Sequence, residues 1–139
     1  MSTTITTSNS VLRARSKQET LTTTQDININ DAGVEFNIAT DAKVLTLPAI
    51  TAENIGAEFT FRHTRADGNN IITLSPNAAD GISGSIALAA SVFSASGVAN
   101  KDLVNTKATA ISGDFVTLKA VSLTKWFITA GIGIWASQA

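Results

Sequence analysis

The single histidine of the chain, His63, is the side chain whose ordinary pKa best suits proton transfer near neutral pH. It falls in the alternating run EFTFRH, where it shares a strand face with Phe59 and Phe61. A zinc site draws on further histidine or cysteine ligands, and the chain has neither. A Ser-His-Asp triad stays open, but no Gly-x-Ser-x-Gly elbow accompanies the histidine. We interpret His63 as a packed or hydrogen-bonded strand residue and predict that the protein is not an enzyme.

Two loops have the oxygen-rich composition that a calcium ion prefers. They are DGNN at residues 67–70 and DG at residues 80–81. Neither fits the EF-hand pattern with its closing glutamate, and turn chemistry accounts for both because Gly and Asn accept positive φ angles. The glycines are also not spaced as a phosphate-binding loop. The sequence therefore predicts no metal site and no cofactor.

Charge is sparse along the chain. Charged residues make up 15% of the sequence, against about 25% in an ordinary soluble domain, and the net charge is -1. A nucleic-acid binder would need clustered cations, and the local basic excess here is limited to Arg13, Arg15 and Lys17. The most apolar run, WFITAGIGIWA, is shorter than the ~20 residues that span a bilayer. We expect neither nucleic acid nor a membrane as a partner.

The chain divides by composition into two parts. Residues 1–25 are dominated by Ser and Thr, and their few apolar residues do not recur with the period of a strand or a helix. We therefore predict a flexible N-terminal arm that is either ordered by a partner or simply solvated. Residues 26–139 consist of short runs in which apolar and polar residues alternate, separated by turn residues. This pattern predicts a single all-β domain. We expect a small antiparallel sandwich or barrel, jelly-roll-like, of eight or nine strands.

Turn signals suggest how some of these strands pair. DININ and VEFNI, separated by Asp31-Ala32-Gly33, predict one hairpin, and EFTFRH and IITLS, separated by DGNN, predict a second. Residues 91–110 are less regular and fit a long connection, a single helical turn or two short strands.

Aromatic residues supply the candidate core. Alternation places Trp126 and Ile128 on one strand face and Phe127 and Thr129 on the other, which predicts burial on both faces. A trimer would explain why both faces are apolar. The residues that we expect in the core or in contacts between protomers are Phe59, Phe61, Phe115, Trp126, Phe127 and Trp135.

From residue 44 onward, the order of these runs resembles small β-structured virion proteins of tailed bacteriophages, and most closely their head decoration, or cement, proteins. The resemblance is strongest in LVNTKATAISGDFVTLKA, and KAVSLTKW departs from the glycine-rich hairpin usual in that family. The runs that carry it are VLTLPAIT, EFTFRHT, IITLSPNAADGISG, GDFVTLKAV, KWFIT and GIGIWA.

The resemblance implies a structural protein, made in the host cytoplasm and located on the outer surface of the virion capsid. There it would bridge neighbouring subunits of the phage major capsid protein as a homo-oligomer, commonly a trimer. We expect residues 1–25 to contact the capsid or a neighbouring protomer through Arg13, Arg15 and Lys17. The alternative is a tail or head-fibre module that binds a host receptor or glycan, and a hydrolase centred on His63 is a distant third.

Overall fold

The computed structural model describes residues 17–138, and this part of the chain is all-β. Two 3-10 turns, Ile29–Asp31 and Lys107–Thr109, are its helical elements. The strands are β1 (Gln18–Leu21), β2 (Gln25–Asp26), β3 (Glu35–Ile38), β4 (Lys43–Thr46), β5 (Glu58–His63), β6 (Ile72–Ser75), β7 (Gly81–Ala87), β8 (Val92–Ala99), β9 (Leu103–Asn105), β10 (Phe115–Ser122), β11 (Lys125–Ile132) and β12 (Trp135–Ser137).

Two mixed sheets pack face to face as a β-sandwich. The seven-stranded sheet has the order β1-β3-β5-β10-β11-β7-β8, and the five-stranded sheet has the order β12-β9-β6-β4-β2. The all-β sandwich prediction is confirmed. The expectation of purely antiparallel sheets is corrected, because five of the ten strand pairings in the described region are parallel.

The first six strands alternate between the two sheets, and we call this part the N-terminal coil. Strands β1, β3 and β5 lie side by side and parallel in the seven-stranded sheet. Strands β2, β4 and β6 do the same in the five-stranded sheet. Each turn of the coil therefore adds one strand to each sheet, as in a short solenoid.

The coil overturns both predicted hairpins. β2 pairs with β4 and not with β3, and β5 and β6 lie in different sheets. The turn at residues 67–70 thus carries the chain from one sheet to the other instead of joining neighbouring strands. The reason is that turn residues such as Asp67-Gly68 permit a sharp change of direction without choosing which strand will be the neighbour.

The C-terminal half contains two local hairpins. β7 with β8 and β10 with β11 form antiparallel hairpins, and β10 also pairs with β5, which joins this half to the coil. Residues 91–110 hold two strands, β8 and β9, followed by the 3-10 turn Lys107–Thr109, so the segment combines the second and third of the three alternatives. Twelve strands in the described region exceed the eight or nine expected, since several are only two to four residues long.

The core lies between the two sheets and is built around clustered aromatic rings. Phe36 stacks on Phe61 with ring centroids 5.5 Å apart, and Phe59 packs against Trp126 at 5.8 Å. Such ring pairs contribute about 0.5–1.5 kcal/mol each beyond the burial of their area. The alternating strands put these side chains inward, as the burial pattern of β5 shows.

The predicted boundary of the arm at Gln25 is also corrected. β1 is part of the seven-stranded sheet, and the side chain of Leu21 at its end is buried in the core. The pairing of β1 with β3 supplies the backbone hydrogen bonds that the polar composition of the segment had not suggested. The rest of the predicted arm, residues 1–16, lies outside the described residues.

Candidate functional site

Exposed apolar side chains gather at the turn of the β10–β11 hairpin. Val121 and Leu123 are 52% and 59% exposed, and Ile55 beside them is 43% exposed. The loop that carries Ile55 is held against β10, because Gly56 N donates a hydrogen bond to Ala120 O at 2.7 Å. We call Ile55, Val121 and Leu123 the turn patch.

A second set of exposed apolar side chains lies at the other end of the same hairpin. Ile132, at the end of β11, pairs in register with Phe115 at the start of β10. Ile111 and Ile134 line an open depression whose other walls include Asp67 and Thr109. We call Ile111, Ile132 and Ile134 the groove patch; each is at least 45% exposed.

The two patches are separated by the length of the hairpin. β10 has eight residues, and at the ~3.4 Å rise of an antiparallel strand it is about 25 Å long. A rigid, hydrogen-bonded hairpin thus holds two apolar surfaces at a fixed separation. Such an arrangement can bind two distinct sites on a partner at once.

Beside the groove patch, the outer face of the seven-stranded sheet carries a polar and aromatic row. Arg62 lies over the ring of Phe115, with Cζ 4.6 Å from the ring centroid. The same guanidinium pairs with Glu35 at 3.2 Å and donates a hydrogen bond to Gly113 O at 3.0 Å. Phe115 is half-buried, with the guanidinium over its ring.

The six predicted packing residues divide between the core and the outer face of the seven-stranded sheet. Phe59, Phe61, Trp126 and Trp135 are buried between the sheets. Phe115 and Phe127 are half-buried on the outer face. Within this chain the burial of β11 is therefore one-sided at the aromatic positions: Trp126 is buried, and Phe127 is half-buried on the outer face.

His63 lies in a buried polar cluster at one end of the core. Its Nδ1 is 3.0 Å from Asn70 Nδ2, which also donates a hydrogen bond to Ile38 O at 2.9 Å. The bond to Ile38 fixes the orientation of the Asn70 amide, so Nδ1 of His63 accepts a hydrogen bond and the imidazole carries its proton on Nε2. Nδ1 thus meets an amide and not the carboxylate of a triad.

Asp114 and Asn105 complete the cluster. Asp114 Oδ2 accepts hydrogen bonds from Asn105 Nδ2 and from Ile111 N, both at 3.0 Å. Its backbone O accepts from His63 N at 2.8 Å, which links the two halves of the cluster. Gly133, with φ at +107°, packs against the carboxylate so closely that a Cβ there would lie 2.3 Å from Asp114 Cγ.

The cluster organises the loops that carry the groove patch. Asn105 Nδ2 also donates to Ile134 O at 3.2 Å, and the bond from Ile111 N anchors the other side of the depression. Sequence reasoning missed Asn70, Asn105 and Asp114, since an amide or carboxylate at a strand end looks the same whether it is buried or solvated. The branched apolar residues of AVSL and GIGI are the available signal for the patches, but their type alone does not distinguish exposed from buried positions.

Burial lowers the pKa of His63 below its ordinary value, and the carboxylates of Asp114 and Asp67 oppose this less strongly. The folded state therefore binds fewer protons than the unfolded state at acidic pH, and its stability is lost as the pH falls below about 6.5. We expect the free energy of unfolding to fall between pH 7 and pH 5, by at most about 1.4 kcal/mol per pH unit. Urea titrations across this range measure it.

His63→Gln is the matched control, because its amide can meet Asn70 but does not titrate. Between pH 7 and pH 5, the free energy of unfolding should fall less steeply with decreasing pH in this variant than in the wild type. Equal slopes would show that other groups cause the acid sensitivity.

The basic residues proposed for capsid contact lie at or beyond the start of the described chain. Lys17 is exposed, and its carbonyl accepts a hydrogen bond from Glu35 N at 2.9 Å, at the beginning of β1. Arg13 and Arg15 lie outside the described residues.

Within residues 17–138 no group of three or more His, Asp or Glu side chains could hold a metal ion. In the same range, no helix has the length and apolar character needed to cross a membrane. No protein-family model matches the chain, and no curated protein matches it.

Proposed function

We propose that this protein is a structural virion protein that decorates the outer surface of a phage capsid. It bridges neighbouring major capsid subunits, acts as a homo-oligomer, a trimer, and needs neither a cofactor nor nucleic acid. The observation that carries the proposal is the pair of apolar patches at opposite ends of the β10–β11 hairpin, about 25 Å apart. A bridging protein needs two such separated contact surfaces.

The chemistry of the patches suits contact with protein. Burying apolar surface contributes roughly 25 cal/mol per Å², and the patches are exposed branched side chains in a chain with only 15% charged residues. Individual contacts of this size are modest. A capsid presents many copies of each subunit, so an oligomeric partner gains from multivalency.

A tail or head-fibre module that binds a host receptor or glycan is the second candidate. The observation in its favour is the open depression at the groove patch, where apolar Ile111 and Ile134 meet polar Asp67 and Thr109. An apolar surface with a few polar groups is typical of small-molecule recognition sites. Binding to host envelopes but not to capsids would favour this candidate.

Charge placed in either patch should weaken binding to the capsid. We expect Leu123→Asp in the turn patch and Ile132→Asp in the groove patch each to lower affinity for undecorated capsids by about tenfold or more, since burying a large apolar side chain contributes about 1.5–3 kcal/mol. Co-sedimentation with capsids measures the change, and light scattering of the free protein tests for the trimer.

Val44→Asp is the control, because Val44 is 37% exposed on β4, in the five-stranded sheet, which does not contain the β10–β11 hairpin. Its affinity should stay within about twofold of the wild type. If all three variants lose affinity alike, or none does, the patches are not the contact surfaces.

A further inference from the structure

The β7–β8 hairpin lies in the longest uncharged stretch of the sequence. Residues 81–100 contain no Asp, Glu, Lys or Arg, and they also lack proline. The second strand of the hairpin, β8, is the outermost strand of the seven-stranded sheet, and within residues 17–138 it pairs only with β7. The outer side of an edge strand presents unpaired backbone groups to whatever lies beside it.

The other three sheet edges are shorter, and two of them carry charge. β1, at the opposite end of the same sheet, has four residues and includes Glu19. In the five-stranded sheet, β2 has two residues, one of them Asp26, and β12 has three. Short edge strands, charged side chains and proline keep sheet edges from pairing with other chains. β8 has eight residues and none of these features.

The hairpin geometry shows which backbone groups of β8 point away from β7. Leu88 N donates a hydrogen bond to Ser91 O at 2.8 Å, so these residues form a hydrogen-bonded pair next to the turn. Hydrogen-bonded and non-hydrogen-bonded pairs alternate along an antiparallel ladder. In the observed register, the odd-numbered residues at the start of β8 therefore bond to β7, and the even-numbered ones direct their N–H and C=O groups outward. These outward residues are Val92, Ser94 and Ser96.

The regular part of this edge ends at a β-bulge. The register between β7 and β8 shifts between Gly81 and Ser83, and Gly97 on β8 has a φ of +75°. A bulge bends the strand and interrupts regular pairing, so the regular section is Val92–Ser96, which we call the β8 edge. Val92 is 65% exposed, the highest value among the large apolar side chains of the described region.

We propose that the β8 edge pairs antiparallel with the β8 edge of a second copy of this chain, across a twofold axis at Ser94. In this register Ser94 faces its own copy, and Val92 faces Ser96 of the second copy. The outward backbone groups then meet in three hydrogen-bonded pairs, because they lie on alternate residues in both strands. The seven-stranded sheet continues from one copy into the next.

A second copy fits this surface because twofold pairing brings a surface against itself. Charged side chains on such a surface would meet like charges across the axis and repel, and the β8 edge has none. On the core side, the half-buried Phe93 lies opposite Ala95 of the second copy, a small residue that is itself buried. The pairing therefore extends the apolar inner layer together with the sheet.

The mass of the free protein is the first test. A twofold contact gives an even number of copies, so light scattering should show a dimer, or a hexamer where two trimers are joined. A monomer or a single trimer at high protein concentration would overturn the pairing. A dimer would support it and would count against the trimer of the proposed function.

Opposed charges test the register. Ser94→Asp places two carboxylates against each other at the twofold axis, and Ser94→Lys places two ammonium groups there. We expect each variant alone to have half the wild-type mass, and an equimolar mixture of the two to recover the full mass. If both variants keep the wild-type mass, or if the mixture does not recover it, Ser94 does not lie at the axis.

Ser85→Asp is the matched control for these variants. Ser85 is exposed and lies opposite Ser94 on β7, one strand in from the edge. The same charge at this position should leave the mass of the free protein unchanged. A halved mass in the control would show that a nearby charge, and not the pairing of the β8 edge, disrupts the oligomer.

A disulfide tests the contact directly, because the sequence contains no cysteine. In a hydrogen-bonded antiparallel pair the two Cα atoms lie about 5.5 Å apart, which is within the range that a disulfide accepts. We expect mild oxidation of Ser94→Cys to give a covalent dimer, and oxidation of Ser85→Cys to give far less. Equal yields from the two variants would show random collision and would overturn the proposal.

These tests use the free protein and are separate from capsid binding. A protein that decorates capsids but shows no effect of the Ser94 variants would keep the proposed function and lose the β8 pairing. An even-numbered oligomer that is halved by Ser94→Asp and does not bind capsids would do the reverse.

Discussion

Trp126→Ala should lower the free energy of unfolding by about 3–5 kcal/mol, the range for truncating a large buried aromatic side chain. Trp126 is fully buried and packs on Phe59, which in turn contacts Phe36 and Phe61. Its indole Nε1 has no hydrogen-bond partner in the described region, so the loss comes from packing and the cavity alone. Urea unfolding followed by circular dichroism measures it.

Two variants control for this effect. Trp126→Phe keeps a ring against Phe59 and should cost clearly less than the alanine variant. Phe127→Ala removes the next ring along β11, which is half-buried on the outer face, and should cost about 1 kcal/mol in the free protein. If Phe127→Ala costs as much as Trp126→Ala, the assignment of inner and outer faces of β11 is wrong.

Asp114→Ala should cost about 3 kcal/mol of unfolding free energy. The substitution takes away the oxygen that accepts from Asn105 Nδ2 and from Ile111 N, and leaves these donors without that partner in the buried cluster. It also opens the space against which Gly133 packs. Thermal and urea unfolding both measure the loss.

Asp114→Asn is the informative comparison, because one amide oxygen can still accept where Oδ2 does. It should retain part of the stability, and Asp114→Ala should also weaken capsid binding since the loops of the groove patch lose their anchor. Equal losses for the two variants, or a loss below about 1 kcal/mol for alanine, would show that the carboxylate does not organise these loops.

The sequence predicted which side chains are buried better than it predicted which strands pair. Alternation in EFTFRH correctly placed Phe59, Phe61 and His63 on the core face of β5. It could not show that β5 is followed by a strand of the opposite sheet, because a hairpin and a crossing between sheets use the same Gly- and Asn-containing turns and leave the alternation unchanged. The parallel coil was missed for this reason.

The candidate site was predicted only in part. Apolar residues on both faces of the C-terminal strands were visible in the sequence, but the exposed ones, such as Leu123 and Ile132, could not be told from the buried ones. Asn105 and Asp114 gave no signal, because their partners are brought together by contacts between elements distant in sequence. The predicted arm, residues 1–25, is too long, because it includes the polar strand β1. This strand is stabilised by its pairing with β3, which its composition does not reveal.

The most direct test of a bridging function is the temperature at which undecorated capsids rupture, measured with and without saturating protein. A protein that joins neighbouring subunits through two separated patches raises this temperature, and Leu123→Asp with Ile132→Asp in one chain abolishes the increase. An unchanged rupture temperature, on capsids that the protein demonstrably saturates, would contradict the bridging account.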